Sequence, residues 1–114
     1  MFKRYCKSLE LKDDPELIKE YKKVHAEGAS WPEITKGIRE VGIIDMEIYI
    51  SGTRLFMIMD TIPEFDHEKA MIELANKPRQ KEWESYVSKF QRSTLEATAD
   101  EKWHLIERIF KLSE

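Results

Sequence analysis

Residues 43–62, IIDMEIYISGTRLFMIMDTI, carry the reading on which the fold turns. In the first half Ile44, Met46, Ile48 and Ile50 alternate with Asp45, Glu47 and Tyr49, the period of two expected of a strand with one buried face. Ser51-Gly52-Thr53 supplies a tight turn into a second run, Arg54 to Ile62, so the stretch is predicted to be a β-hairpin. The second run is apolar in both alternating sets, which predicts that both faces of the sheet are covered.

Working outward, residues about 3 to 11 read as a first strand, with Tyr5, Leu9 and Leu11 on one face. Asp14 then caps a helix with Pro15 at its first position, where a missing N–H costs nothing. Its apolar positions Leu17, Tyr21 and Val24, with Ile18 and His25 alongside, run at helical spacing to a stop at Gly28. Ser30 and Glu33 form a capping-box pair around Trp31-Pro32, opening a second helix with Ile34, Ile38 and Val41 as its buried stripe and Gly42 as its end. Beyond the hairpin, Asp66 caps a short helix carrying Ala70, Met71 and Leu74, and Pro78 restarts a longer one with Trp83, Val87 and Phe90 in line. Gln91 to Lys102 reads as loop and Trp103 to Leu112 as the last strand. The order β, α, β, β, α, β, with each helical crossing in two pieces, predicts an α+β, ferredoxin-like antiparallel sheet with helices on one face. A second copy of the chain is expected to cover the other face, giving a homodimer.

Composition narrows the function. The 114 residues accommodate one domain spanning 1–114, and 41% hydrophobic with 36% charged residues suits a packed core under a charged surface. Nineteen Lys and Arg against 22 Asp and Glu leave no basic footprint for nucleic acid, which is not expected as a partner. One cysteine, Cys6, forms no intrachain disulfide, and no Cys/His set has zinc-ligand spacing, so neither a metal site nor a cofactor is expected. The charge-broken N-terminus and the lack of a long apolar run predict no leader and no membrane partner, hence a cytoplasmic protein.

Several side chains are candidates for chemistry. His25 follows Tyr21 by four positions and precedes Trp31-Pro32 by a short break, gathering polar-tipped rings that stack on a sugar and offer hydrogen bonds, or that simply pack in a core. Trp83 is either a second sugar platform or a core aromatic in line with Val87 and Phe90. Asp60 and Glu47, on adjacent hairpin strands, are carboxylates able to serve as a base or to hold a hydroxyl, or else ordinary strand charges. His67 and His104 have no companions at ligand spacing.

The chain resembles the L-rhamnose mutarotase family over nearly its whole length. The likeness rests on Asp14-Pro15, Tyr21-x3-His25, Trp31-Pro32-Glu33, Ile48-Tyr49 and Leu55-Phe56 in the hairpin, and Gln80, Trp83 and Tyr86, in that order and spacing. The resemblance implies a dimeric α/β barrel that interconverts the anomers of a monosaccharide without a cofactor. By that resemblance His25 would be the proton donor, Tyr21 a sugar ligand and Trp83 part of the pocket lining; the mechanism expected here has His25 protonate the ring oxygen while Trp31 and Trp83 stack on the ring or its methyl group. Two departures bear on substrate: Asp45-Met46 stands where the rhamnose pattern has a tyrosine, and Glu82-Trp83 where it has two tryptophans. Met46 and Glu82 are therefore expected in the sugar wall, with Asp60 or Glu82 taking the second proton and L-fucose competing with L-rhamnose as substrate. Small dimeric α/β barrels also host cofactor-free monooxygenases and ligand-binding modules, the alternatives that fold alone leaves open.

Overall fold

The computed structural model describes residues 1–26, 28–93 and 97–113. Its elements run β1 (Lys3–Glu10), α1 (Pro15–Val24), α2 (Pro32–Glu40), β2 (Ile43–Ser51), β3 (Arg54–Thr61), α3 (His67–Ala75), α4 (Gln80–Ser88), α5 (Ala99–Lys102) and β4 (His104–Ile106). The four strands form one antiparallel sheet in the order β2-β3-β1-β4, the ferredoxin-like arrangement that the element order predicts.

Alternation along β3 decides where the helices lie. Leu55, Met57, Met59 and Thr61 are buried, whereas Phe56, Ile58 and Asp60 belong to the opposite set. The buried set joins Leu9 and Leu11 from the first strand region with Tyr21, Ile34, Leu74, Trp83, Val87 and Phe90 from the helical layer, so one face carries the core. Tyr49 and Phe56, paired across the hairpin, and Ile106 are exposed on the open face.

Several boundaries differ from expectation. Ser30 does not cap α2: Trp31, held extended by the following Pro32, occupies the N-cap with no side-chain bond, because the helix starts one residue later than a capping box needs. In β2 a bulge lies between Ile43 and Asp45, turning Ile44 out to 57% exposure instead of setting it beside Met46. α4 starts at Gln80 rather than at Pro78, after Arg79 in the left-handed region at φ 63°. The stretch read as loop contains α5, closed by a capping box between Thr98 and Glu101. The last strand stops at Ile106, and Ile109, Phe110 and Leu112 beyond it are exposed, since alternation specifies a face but supplies no partner strand.

Other signals hold. The Asp14 carboxylate accepts from the N–H groups of Glu16 and Leu17 with Pro15 at the first helical turn. Gly42, at φ 103°, closes α2, and a Cβ there would lie 3.1 Å from the Ile62 side chain, so the turn into β2 needs glycine twice over.

One core position runs against its surroundings. Lys7 shares the core face of β1 with Leu9, is 2% exposed, and has Sδ of Met71, at 3.8 Å, as its acceptor among the described residues. Burial pushes its ammonium pKa down. Lys7→Met keeps the length of the side chain without the charge and is expected to stabilise the fold by about 1–3 kcal/mol. A urea melt with an unchanged or lowered midpoint would show that Lys7 is adequately solvated or paired.

Candidate active site

Between the helical layer and the β2–β3 side of the sheet lies a cavity of about 390 Å³, within the usual range for a small-molecule site. One end is aromatic. Tyr21 is on the buried face of α1, and His25 caps the C-terminal end of that helix one turn later, so their rings meet at 4.2 Å. Trp83, projecting from α4, places its ring edge-on to His25 at 5.5 Å.

The hydrogen bond at His25 defines its protonation. Its Nδ1 lies 2.9 Å from the carbonyl oxygen of Tyr21, and because a carbonyl only accepts, Nδ1 carries the proton. In the neutral ring Nε2 is then left with a lone pair. Burial pushes the imidazole pKa below the ordinary value of 6.5, an effect larger than the opposing pull of the carbonyl, so the neutral form is the resting form at pH 7. The Tyr21 phenol is pushed up to about 12 by burial and stays protonated. Its oxygen accepts a long hydrogen bond, 3.5 Å, from Nε2 of Gln91.

The expected site residues separate into two groups. His25, Tyr21, Met46 and Trp83 line the cavity. Trp31 stands one shell behind: it packs edge-on to Trp83 at 5.1 Å, stacks on Tyr86 at 5.7 Å, and carries the Arg79 guanidinium over its ring at 4.3 Å. Glu82 points to solvent, where Arg79 donates to both its oxygens and thereby holds its carboxyl below the ordinary carboxylate pKa. Asp60 belongs to the open face of β3, and a two-point bond from Arg4 lowers its pKa likewise. Neither carboxylate is among the residues of the cavity wall.

Two others are, Asp45 of β2 and Glu84 of α4. Glu84 lines the cavity with Gln80 and Gln91, and Glu84 Oε1 meets the Lys102 ammonium at 2.8 Å with the lysine side chain fully buried. Gln80, Glu84, Val87 and Gln91 follow one another at intervals of four, three and four residues, a stripe of helical spacing whose last member lies beyond the end of α4 at Ser88. The polar members of that stripe, lying beside the apolar stripe of Trp83, Val87 and Phe90, are the signal by which sequence reading could have found them. Among the described residues no cluster of three or more His, Cys, Asp or Glu side chains has the geometry of a metal site.

Comparison with known proteins agrees with this architecture. The pattern of the L-rhamnose mutarotase family matches residues 4–112. An L-fucose mutarotase of Xanthomonas campestris pv. campestris is 36% identical over 111 residues, covering 97% of this chain and 89% of its own. A UPF0734 protein of Dictyostelium discoideum is 36% identical over 94 residues, or 80% of this chain and 72% of its own. The crystal structure of an L-rhamnose mutarotase from Formosa agariphila superimposes with a TM-score of 0.68 at 15% identity, covering 96% of this chain and 98% of that one, a likeness of fold. With its sequence matched from Arg4 to Leu112, the chain belongs to the L-rhamnose mutarotase family.

Proposed function

We propose that the protein interconverts the α and β anomers of a 6-deoxyhexose, L-rhamnose or L-fucose, with His25 moving the proton. The observation that carries this reading is a neutral, half-buried imidazole on the wall of a sugar-sized cavity, between the rings of Tyr21 and Trp83, with one nitrogen free among the described residues. Ring opening removes the proton of the anomeric hydroxyl, breaks the bond from C1 to the ring oxygen, and protonates that oxygen. The two oxygens are both bonded to C1. One nitrogen therefore serves both: Nε2 takes the anomeric proton, and the imidazolium so formed delivers it to the ring oxygen as the aldehyde appears. Rotation about the C1–C2 bond and the reverse transfer close the other anomer.

Protons, atoms and charge balance within the sugar and the imidazole. Tyr21 donates a hydrogen bond to a sugar hydroxyl, Trp83 takes an apolar face of the ring, and Met46 packs against the exocyclic methyl group. Trp31 acts through Trp83, fixing its edge-on orientation. The experiment is anomer exchange followed by saturation-transfer NMR with and without protein; sugars whose anomers exchange no faster than in buffer would end this reading.

The same proposal includes a homodimer. The open sheet face presents Tyr49, Phe56 and Ile106, and the segment after β4 presents Ile109, Phe110 and Leu112, an apolar surface that a second copy would cover. Light scattering at micromolar concentration is expected to give twice the mass of 13.6 kDa. A monomer mass throughout would remove the dimer without touching the chemistry.

A further inference from the structure

We propose that Glu84, held by Lys102 and Gln80, is the residue that reads the ring hydroxyls of the sugar, and thus the specificity determinant of the cavity; this rests on the mutarotase reading above. The case begins with an imbalance in the wall. Most of the cavity is apolar, with Ile34, Ile38, Ile48 and Met57 on the side formed by α2 and the hairpin. The α4 side is instead rich in acceptors. Glu84 Oε1 takes the Lys102 ammonium at 2.8 Å, and Oε2 takes the Gln80 amide at 2.6 Å. A carboxylate has about four lone-pair directions, so two remain for a ligand.

Two further acceptors on lining residues have no donor among the described residues. Oε1 of Gln80 and Oε1 of Gln91 are unpartnered, in side chains belonging to residues only 4% and 2% exposed. An unpaired buried acceptor costs about 1–3 kcal/mol, and a turn of either amide toward the cavity would let a ligand O–H relieve it. The α4 side of the wall therefore offers acceptors to the hydroxyls of a polyhydroxylated ring, while Tyr21, Thr35 and Arg39 elsewhere in the lining supply donors.

Lys102 is a positioning residue in this arrangement. Its ammonium also donates to the backbone carbonyl of Glu84 at 2.8 Å, so both ends of the carboxylate's own residue are tied down. With its charge countered and its orientation fixed, Glu84 acts as a hydrogen-bond acceptor, leaving the proton transfer to His25. A sugar bound in this way sets its hydroxyl edge against α4 and its C–H and methyl groups against the isoleucines. A site built to hydrogen-bond a hydroxyl discriminates strongly against the analogue that lacks it.

The test compares the 6-deoxyhexose exchanged fastest by the unmodified protein with its monodeoxy analogues lacking one further ring hydroxyl, by saturation-transfer NMR over a range of sugar concentrations. The unmodified protein is expected to exchange at least one analogue with a kcat/KM about 10- to 100-fold lower, the loss of one hydrogen bond to a charged group. Because Glu84→Gln alone would strand a buried ammonium, the variant is Glu84→Gln with Lys102→Met, which removes both charges together. It is expected to raise KM about tenfold or more, to change kcat less, and to lose the discrimination between the two sugars. If the double variant does not fold, Gln91→Leu leaves the ion pair in place and is expected to weaken discrimination in the same direction. Unchanged KM and unchanged discrimination in a folded variant overturn this inference alone. No exchange of any sugar by the unmodified protein overturns the mutarotase reading and this inference with it.

Discussion

His25→Gln is expected to slow anomer exchange by about 10²- to 10⁴-fold at pH 7, the usual contribution of a positioned proton-transfer group. Glutamine retains the approximate size of the side chain and its ability to hydrogen-bond, but it neither accepts nor releases a proton. The fold should persist, because His25 caps the end of α1 rather than filling the core, and Tyr21 and Trp83 keep their other neighbours. The pH profile gives an independent reading. Since burial holds the imidazole pKa below 6.5, the active neutral form predominates at pH 7 and is lost as pH falls through that depressed value. The exchange rate should therefore decline on the acid side with a midpoint below 6.5, and the residual rate of His25→Gln should lack that decline. A variant with the rate of the unmodified protein would mean that the proton travels through another group.

Trp83→Ala is expected to cost about 3–5 kcal/mol of stability, the range for deleting a buried indole. Trp83 is 8% exposed and joins three aromatic neighbours: His25 at 5.5 Å, Trp31 at 5.1 Å and Tyr86 at 6.0 Å. Its removal empties the corner where α1, α2 and α4 meet, enlarging the cavity at the point where the sugar ring is proposed to rest. In a chain of this length the thermal midpoint should fall by about 10 °C or more. Trp83→Phe, which restores an aromatic ring, should recover most of the midpoint and only part of the exchange rate. A melt unmoved by Trp83→Ala would show that the aromatic cluster contributes little to the core.

Much of this architecture was legible because local signals and tertiary packing agree. Asp14-Pro15 opens α1, Ser51-Gly52-Thr53 closes a hairpin, and the spacing of Tyr21 and His25 sets both rings on one side of α1. The side of the sheet on which Asp60 lies was harder to read. Both alternating sets of β3 are apolar, Leu55, Met57 and Met59 in one and Phe56 and Ile58 in the other, so the pattern gives the alternation without saying which set faces the helices. Glu82 illustrates a second limit. Adjacent helical positions differ by roughly 100°, and the neighbour of a buried Trp83 turns to solvent, where Arg79 holds it. Glu84 escaped notice for the converse reason: a carboxylate on a helix reads as a solvated charge until a lysine eighteen residues away, on α5, is seen to be buried against it.

The measurement that bears most directly on the central claim is the anomer exchange rate of L-rhamnose and of L-fucose, by saturation-transfer NMR near neutral pH, as a function of protein concentration. The account predicts a rate that rises in proportion to the unmodified protein for at least one of the two sugars and that His25→Gln fails to produce. Rates for both sugars equal to those in buffer, at every protein concentration, would contradict it.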